Sequence, residues 1–266
     1  MFSHSTLYLN HHAMNYFIIT GTSSGIGEAI ANRLIHRREK AFCISRRENP
    51  ALNLLAKREH SGLWYYQFDL RSTSKIPGLM KEIFSFIDKE TVSGIFLINN
   101  AGTLMPTGFS GTLNTSEMEE HYKTNLLAPA LLINEFLKLT TELNIKKTII
   151  NISSGAAVSA YAGWSNYCAA KAGLDMLTRS IALEQKNAPF PAKVLSVAPG
   201  IVDTPMQEII RELKVEQFPM KEKFVALHQT NKLAGTDDTA QKIISLLFDN
   251  SLDRKSTRLN SSHRIR

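Results

Sequence analysis

A chain of 266 residues with 43% hydrophobic and 21% charged content can bury a full core as one large domain, and none of its apolar runs reaches the ~18 residues of a membrane span. Of its net charge of +7, residues 251–266, with five Lys/Arg and one Asp, contribute +4, so the body is only weakly basic and nucleic-acid binding is set aside. Neither of the two cysteines, Cys43 and Cys168, has metal-ligand spacing to a second Cys or His, which points to a reducing, cytoplasmic setting without disulfide or metal.

Residues 1–13 hold no charged side chain and three of the eight histidines, and Met14 opens a strand-like run. The first thirteen residues are therefore read as an extension, with Met14 as the natural start. Residues 251–266 have no strand alternation and read as a basic tail outside a single domain spanning 14–250.

Within that domain, Tyr16-Phe-Ile-Ile-Thr20 is a β-rich apolar run leading into Gly21-Thr-Ser-Ser-Gly25-Ile-Gly27 and then the helical pattern Ala29, Ile30, Leu34, Ile35. Strand, glycine-rich turn and helix are the context of a dinucleotide-binding loop, in which bare backbone approaches a pyrophosphate at a helix N-terminus. A plain Gly/Ser turn is the competing reading. The next strand, from Ala41 to Ser45, ends in Arg46 and Arg47. A site for NAD calls for a carboxylate at this place and a site for NADP calls for cations, so the two arginines favour NADP unless they merely face solvent.

Further strands are predicted at Leu63–Phe68, Gly94–Ile98, Lys147–Ile152 and Val194–Ala198, and helices at 51–60, 74–89, 116–140, 166–186 and 237–248. Alternating strands and helices predict an α/β fold, a Rossmann-type doubly wound parallel sheet with helices on both faces and its ligand beyond the carboxyl ends of the strands. Asp69, Asn99-Asn100-Ala101-Gly102, Ser153-Ser154 and Pro199-Gly200 all fall there. In the helix from Ser116, Pro129 follows Asn125 by four residues and brings no N–H to its carbonyl. That carbonyl either holds a water or marks a kink made for packing.

Tyr167 and Lys171 stand at i and i+4 on one helical face. An ammonium ~4 Å from a phenol, at an effective dielectric of ~20, interacts by about 4 kcal/mol, enough to lower the tyrosine pKa to near physiological pH. Alone, the pair is also what a core tyrosine beside a surface lysine looks like. Ser154 lies thirteen residues upstream of Tyr167, and strand alternation favours it over Ser153.

Taken together, Thr20-Gly-Thr-Ser-Ser-Gly-Ile-Gly27, Asn99-Asn-Ala-Gly102, Asn125, Ser154, Tyr167-x-x-x-Lys171 and Pro199-Gly-Ile-Val-Asp-Thr204 resemble the short-chain dehydrogenase/reductase family over about Tyr16 to Asn250. Within it, Ile44-Ser-Arg-Arg-Glu-Asn49, Gly163-Trp164, Tyr167-Cys168 and Lys171-Ala-Gly173 are most similar to benzil reductases forming (S)-benzoin and to their sepiapterin reductase relatives. The resemblance implies an NADPH/NADP-dependent carbonyl reductase in which Tyr167 is the proton donor, Lys171 tunes it, Ser154 binds the substrate oxygen and Asn125 holds a relay water. It also implies cofactor contacts from Gly21, Ser23, Ser24, Gly25, Ile26 and Gly27, from Arg46 and Arg47, from Asp69 and Leu70, and from Asn100, Ala101 and Gly102. Tyr167, Lys171, Pro199, Gly200, Val202 and Thr204 complete that set, Thr204 holding the nicotinamide carboxamide.

Tyr161, Trp164, Met206, Phe218, Met220 and Phe224 read as the walls and lid of an apolar pocket for an aromatic ketone or diketone, or in part as core. A sepiapterin-like pterin reductase, and an NADP-binding regulatory protein without catalysis, are the alternatives; occupation of all four catalytic positions argues against the second. The partner is a small carbonyl substrate, not nucleic acid or membrane. Family members end in an apolar strand that completes the sheet and contributes to subunit contacts, whereas here only the basic tail follows Asn250. The last edge strand is therefore expected to be missing, and a homodimer or homotetramer is expected where that edge is intact.

Overall fold

β1 (Met14–Thr20) sends alternate residues to opposite faces, Tyr16 and Ile18 to one and Phe17 and Ile19 to the other, and all four are buried. A strand apolar on both faces has to be covered on both, which a parallel sheet with crossover helices achieves. The computed structural model describes residues 14–249 and 258–260, so the extension 1–13 and the remainder of the tail lie outside the described residues.

β2 (Lys40–Ser45), β3 (Leu63–Gln67), β4 (Val92–Asn99), β5 (Lys146–Ile152) and β6 (Lys193–Ala198) join β1 in a parallel sheet ordered β3-β2-β1-β4-β5-β6. On one face, Phe17 and Ile19 pack with Ile30 and Leu34 of α1 (Gly25–His36), Leu52 of α2 (Pro50–Glu59) and Ile243 and Leu247 of the last helix (Thr236–Phe248). On the other, Tyr16 and Ile18 pack with Met80 and Ile83 of α3 (Ile76–Ser85) and with Leu132 and Phe136 farther along the chain. The strand order reverses between β1 and β4, which opens a crevice at their carboxyl ends.

Two expectations are corrected. The edge beyond β6 is occupied: Arg258–Asn260, from the tail set outside the fold, forms β7 and pairs in parallel with Ser196–Ala198. An open edge presents unpaired N–H and C=O groups, and three residues of the tail cover its carboxyl-terminal half, Ser196–Ala198. The helix predicted over 116–140 is divided into α4 (Thr115–Tyr122), a π turn (Lys123–Leu127) and α5 (Ala128–Thr140). Pro129 sits in the first turn of α5, where a missing N–H is tolerated, and the Ala128 N–H reaches back five residues to the Lys123 carbonyl. α6 (Ser165–Glu184), α7 (Pro205–Glu212) and α8 (Lys221–Gln229) follow, with the helix over Thr236–Phe248 as α9. No helix among the described residues is long and apolar enough to cross a membrane.

Candidate active site

The turn between β1 and α1 is built from close backbone approaches. Gly25 has φ +65°, and a Cβ on Gly27 would lie 2.3 Å from the Gly21 carbonyl oxygen and 2.5 Å from Asn100 Nδ2. Asn100 Nδ2 donates to the carbonyls of Thr20 (3.0 Å) and Gly21 (3.2 Å), while the N–H groups of Asn100 and Ala101 both donate to Thr20 Oγ1 at 3.0 Å. The segment after β4 thus braces the glycine turn. Ser23 accepts from Asn49 Nδ2 at 3.4 Å, and Ser24 is the extended N-cap of α1 with its side chain making no cap bond. With no side-chain cap on its first N–H groups, the positive end of α1 suits the pyrophosphate of a dinucleotide.

Thr204 Cγ2 comes within 3.4 Å of the position a Gly25 Cβ would take and Pro205 Cδ within 3.8 Å, so Thr204 and Pro205 lie against the glycine turn. Val202 is buried, and its neighbours Ile201 and Asp203 exchange backbone hydrogen bonds with Ala234 at 2.9 Å. Arg46 and Arg47 project exposed from the end of β2. Leu70 buries its side chain in the core, which leaves it mainly backbone to offer a ligand, and Ile26 packs partly on the opposite cluster. The Asp69 carboxylate is held by Arg71, with Nη2–Oδ2 at 2.6 Å, and Arg71 also reaches Glu120 at 2.7 Å. Its guanidinium holds Asp69 below the usual carboxylate range.

The catalytic candidates converge where β5 ends. Tyr167 and Lys171 occupy the first turns of α6 and are 7% and 4% exposed, and the Ser154 hydroxyl hydrogen-bonds the Tyr167 phenol. Ser153 is buried, and its hydroxyl has no hydrogen-bond partner among the described residues. Lys171 Nζ donates to the Ile152 carbonyl at 2.9 Å and lies 5.8 Å from the Tyr167 ring centroid. A Cβ on Gly102 would be 3.0 Å from Asn125 Oδ1 and 3.6 Å from Lys171 Nζ, so Asn125 and Lys171 approach each other across that glycine.

One expectation about charge is reversed. Burial, the largest influence, pushes the Tyr167 phenol up, with the Ser154 hydroxyl acting in the opposite sense, and burial lowers the Lys171 ammonium to about 8. Taking both groups out of water disfavours phenolate and ammonium alike, and the lysine's hydrogen bond goes to a backbone carbonyl.

His121 is a residue of this site that the sequence reading missed. It is fully buried, its Nδ1 lies 2.8 Å from the Met105 carbonyl, and its Nε2 lies 3.1 Å from Asn125 Nδ2. The tautomer that satisfies both contacts donates from Nδ1 and accepts at Nε2. Burial and the Lys171 charge lower its pKa, in keeping with a neutral ring. Asn125 also accepts from the Thr103 N–H at 3.0 Å and donates to the Thr103 carbonyl at 2.9 Å, so its amide is fully committed. What remains is the backbone carbonyl, whose usual helical donor Pro129 cannot supply. Only the position i−4 on a helix that ends in a π turn could have pointed to His121.

A separate apolar cluster walls this point. Trp164 stacks on Phe218 at 4.0 Å and stands edge-on to Tyr167 at 5.8 Å, with Leu104, Ile210, Leu213 and Phe224 packed around them. Phe218 and Phe224 are buried and Met206 packs against the cluster, while Met220 is 37% exposed. The α7–α8 segment, expected as a lid, thus carries a small core of its own. Two hollows at the other end of the sheet, the larger about 250 Å³, are lined in part by Lys147 and Lys193, whose ammoniums hold the Thr140 and Asp249 carbonyls at 2.8 and 2.7 Å. Those lysines cap the C-terminal ends of α5 and α9 and take no part in the crevice.

A family model for short chain dehydrogenase matches residues 15–214. A benzil reductase ((S)-benzoin forming) of Bacillus cereus is 42% identical over 234 residues, covering 88% of this chain and 94% of that protein. The sepiapterin reductase of Rattus norvegicus is 30% identical over 240 residues, covering 86% and 90%. Among solved structures, that of the KRED1-Pglu enzyme superposes with a TM-score of 0.79 at 26% identity, covering 92% of this chain and 99% of that one. A glycine turn braced by Asn100, a serine, tyrosine and lysine meeting at the end of β5, and these matches over most of the length lead to one assignment: the chain belongs to the short-chain dehydrogenase family and is an oxidoreductase acting on CH–OH/C=O groups.

Proposed function

We propose that the protein is an NADPH-dependent reductase of aromatic ketones or diketones of the benzil type, with Tyr167 as proton donor. The observation that carries this reading is the meeting of the Ser154 hydroxyl, the buried Tyr167 phenol and the Trp164–Phe218 stack at one point. The first two serve a carbonyl oxygen, and the stack offers a flat apolar wall. Identity to the Bacillus cereus benzil reductase supports the substrate class.

When bound, the nicotinamide cofactor supplies a hydride to the carbonyl carbon. The glycine turn, the N-terminus of α1 and Thr204 would hold it, with Arg46 and Arg47 at its ribose phosphate. Ser154 donates to the substrate oxygen as negative charge develops there, and Tyr167 gives that oxygen its proton. A phenol kept neutral by burial suits a donor. Lys171, anchored on the Ile152 carbonyl, supplies positive charge beside the phenolate left behind. Asn125, its amide locked by Thr103 and His121, offers its backbone carbonyl, to which Pro129 brings no N–H, to a water that returns the proton.

The test is a panel of benzil, aromatic ketones and pterins followed by NADPH absorbance, each repeated with NADH. The aromatic diketone with NADPH is expected to turn over fastest. Faster turnover of the pterin would transfer the protein to the sepiapterin class, and no oxidation with any carbonyl would remove the reading.

A pH dependence follows from Lys171. Burial lowers it to about 8, so the ammonium is present below that pH and lost above it. Reduction is expected to decline on the alkaline side with a midpoint near that value, measured as kcat against pH. A profile flat to about pH 10, where a free tyrosine would begin to ionise, would take the lysine charge out of the mechanism.

A further inference from the structure

The carboxyl ends of β2 and β3 meet in a cluster of hydroxyls that the reaction itself does not use. Tyr65, on β3 beside Cys43 of β2, places its phenolic oxygen 2.9 Å from the Arg47 carbonyl and 2.5 Å from Ser45 Oγ. Ser45 Oγ lies 2.7 Å from the same carbonyl, and Thr22 Oγ1, from the glycine turn, donates to the Tyr65 oxygen at 3.4 Å. Two hydroxyl protons are shared among three oxygens, and every arrangement within that triangle leaves the Arg47 carbonyl with a donor. Gln67 Nε2 holds the preceding carbonyl, that of Arg46, at 3.2 Å. The backbone of both arginines is therefore tied to the sheet, although their side chains are exposed.

We propose that Tyr65 is a specificity-determining positioning residue, whose hydroxyl locks the Arg46–Arg47 backbone so that the two guanidiniums meet the 2′-phosphate of NADPH already ordered. The inference rests on the NADPH reading above. An exposed cation on a mobile loop gains little from an anion, because solvent screens it and its ordering entropy is spent on binding. Bracing the backbone beforehand removes part of that cost, and only for a ligand with charge at the 2′ position. A neutral 2′-hydroxyl has nothing to gain from guanidiniums held in place. Tyr65 therefore acts on the choice between cofactors and not on hydride transfer.

The experiment is calorimetric titration of the full chain with NADP and with NAD, for the natural protein, Tyr65→Phe and Ser45→Ala, each with a thermal melt. Losing one hydrogen bond of the brace is expected to loosen NADP by about threefold to tenfold, with NAD changed by less than about twofold. Ser45→Ala removes the other donor to the same carbonyl and is expected to behave alike, which covers the case in which Tyr65→Phe folds poorly. Equal weakening of both cofactors, weakening that tracks a fall in melting temperature in both variants, or no change in either cofactor would overturn the proposal. Equal affinity of the natural protein for NADP and NAD is a different result: it would remove the NADPH reading and this inference together.

Discussion

Replacing Tyr167 by phenylalanine is expected to lower kcat for carbonyl reduction by about two to four orders of magnitude, the range a positioned general acid supplies, while NADPH still binds. The substitution keeps the ring, and with it the edge contacts to Trp164 at 5.8 Å and His121 at 6.2 Å, and deletes only the hydroxyl that meets Ser154. The loss should therefore fall on kcat and spare both folding and cofactor affinity. Single-turnover kinetics with benzil, set beside a cofactor titration, separates the two quantities. A variant as fast as the natural enzyme would show that the proton comes from elsewhere, and the reading of Ser154 and Lys171 as its companions would fail with it.

Gly27→Ala is expected to weaken NADPH by about tenfold to a hundredfold, because overpacking of this kind costs about 1–3 kcal/mol. The added methyl would sit 2.3 Å from the Gly21 carbonyl oxygen and 2.5 Å from Asn100 Nδ2. Neither can step aside alone. Asn100 Nδ2 is bonded to the carbonyls of Thr20 and Gly21, so a shift in one drags the whole turn away from the end of α1 where the pyrophosphate of the proposed cofactor would lie. Calorimetry gives the affinity, and a melt run in parallel reports how much of the strain reaches the fold. An alanine variant that binds within about twofold of the natural protein would mean that the turn flexes more than a hydrogen-bonded unit should.

Much of this was legible in the chain. The six longer strands announced themselves as β-rich apolar runs, and the observed bounds differ from the expected ones by only a residue or two in most cases, as with Tyr16–Thr20 against Met14–Thr20. The glycine turn was marked by the order of strand, glycines and helix, and the Tyr167–Lys171 pair by its spacing on one helical face. The break in the helix over 116–140 was half visible: Pro129 pointed to a disturbance, yet a π turn over Lys123–Leu127 depends on which carbonyl the Ala128 N–H selects. Asp69 was placed at the end of its strand, but its pairing with Arg71 and, through it, with Glu120 joins parts of the chain that no periodicity relates.

Sequence alone determined the α/β architecture and marked the glycine turn and the candidates Asn125, Ser154, Tyr167 and Lys171, because strand alternation, helical spacing and turn chemistry are local properties of neighbouring residues. Only the tertiary structure decided how those residues are supported and charged. His121 became part of the site through contacts with Met105 and Asn125, Tyr65 through its reach to Ser45 and Arg47, and Arg258–Asn260 a strand through the open side of β6. The direction in which Tyr167 is pushed was likewise a matter of burial. Desolvation and long-range hydrogen bonding depend on which distant segments exclude water from one another, and that is settled by packing.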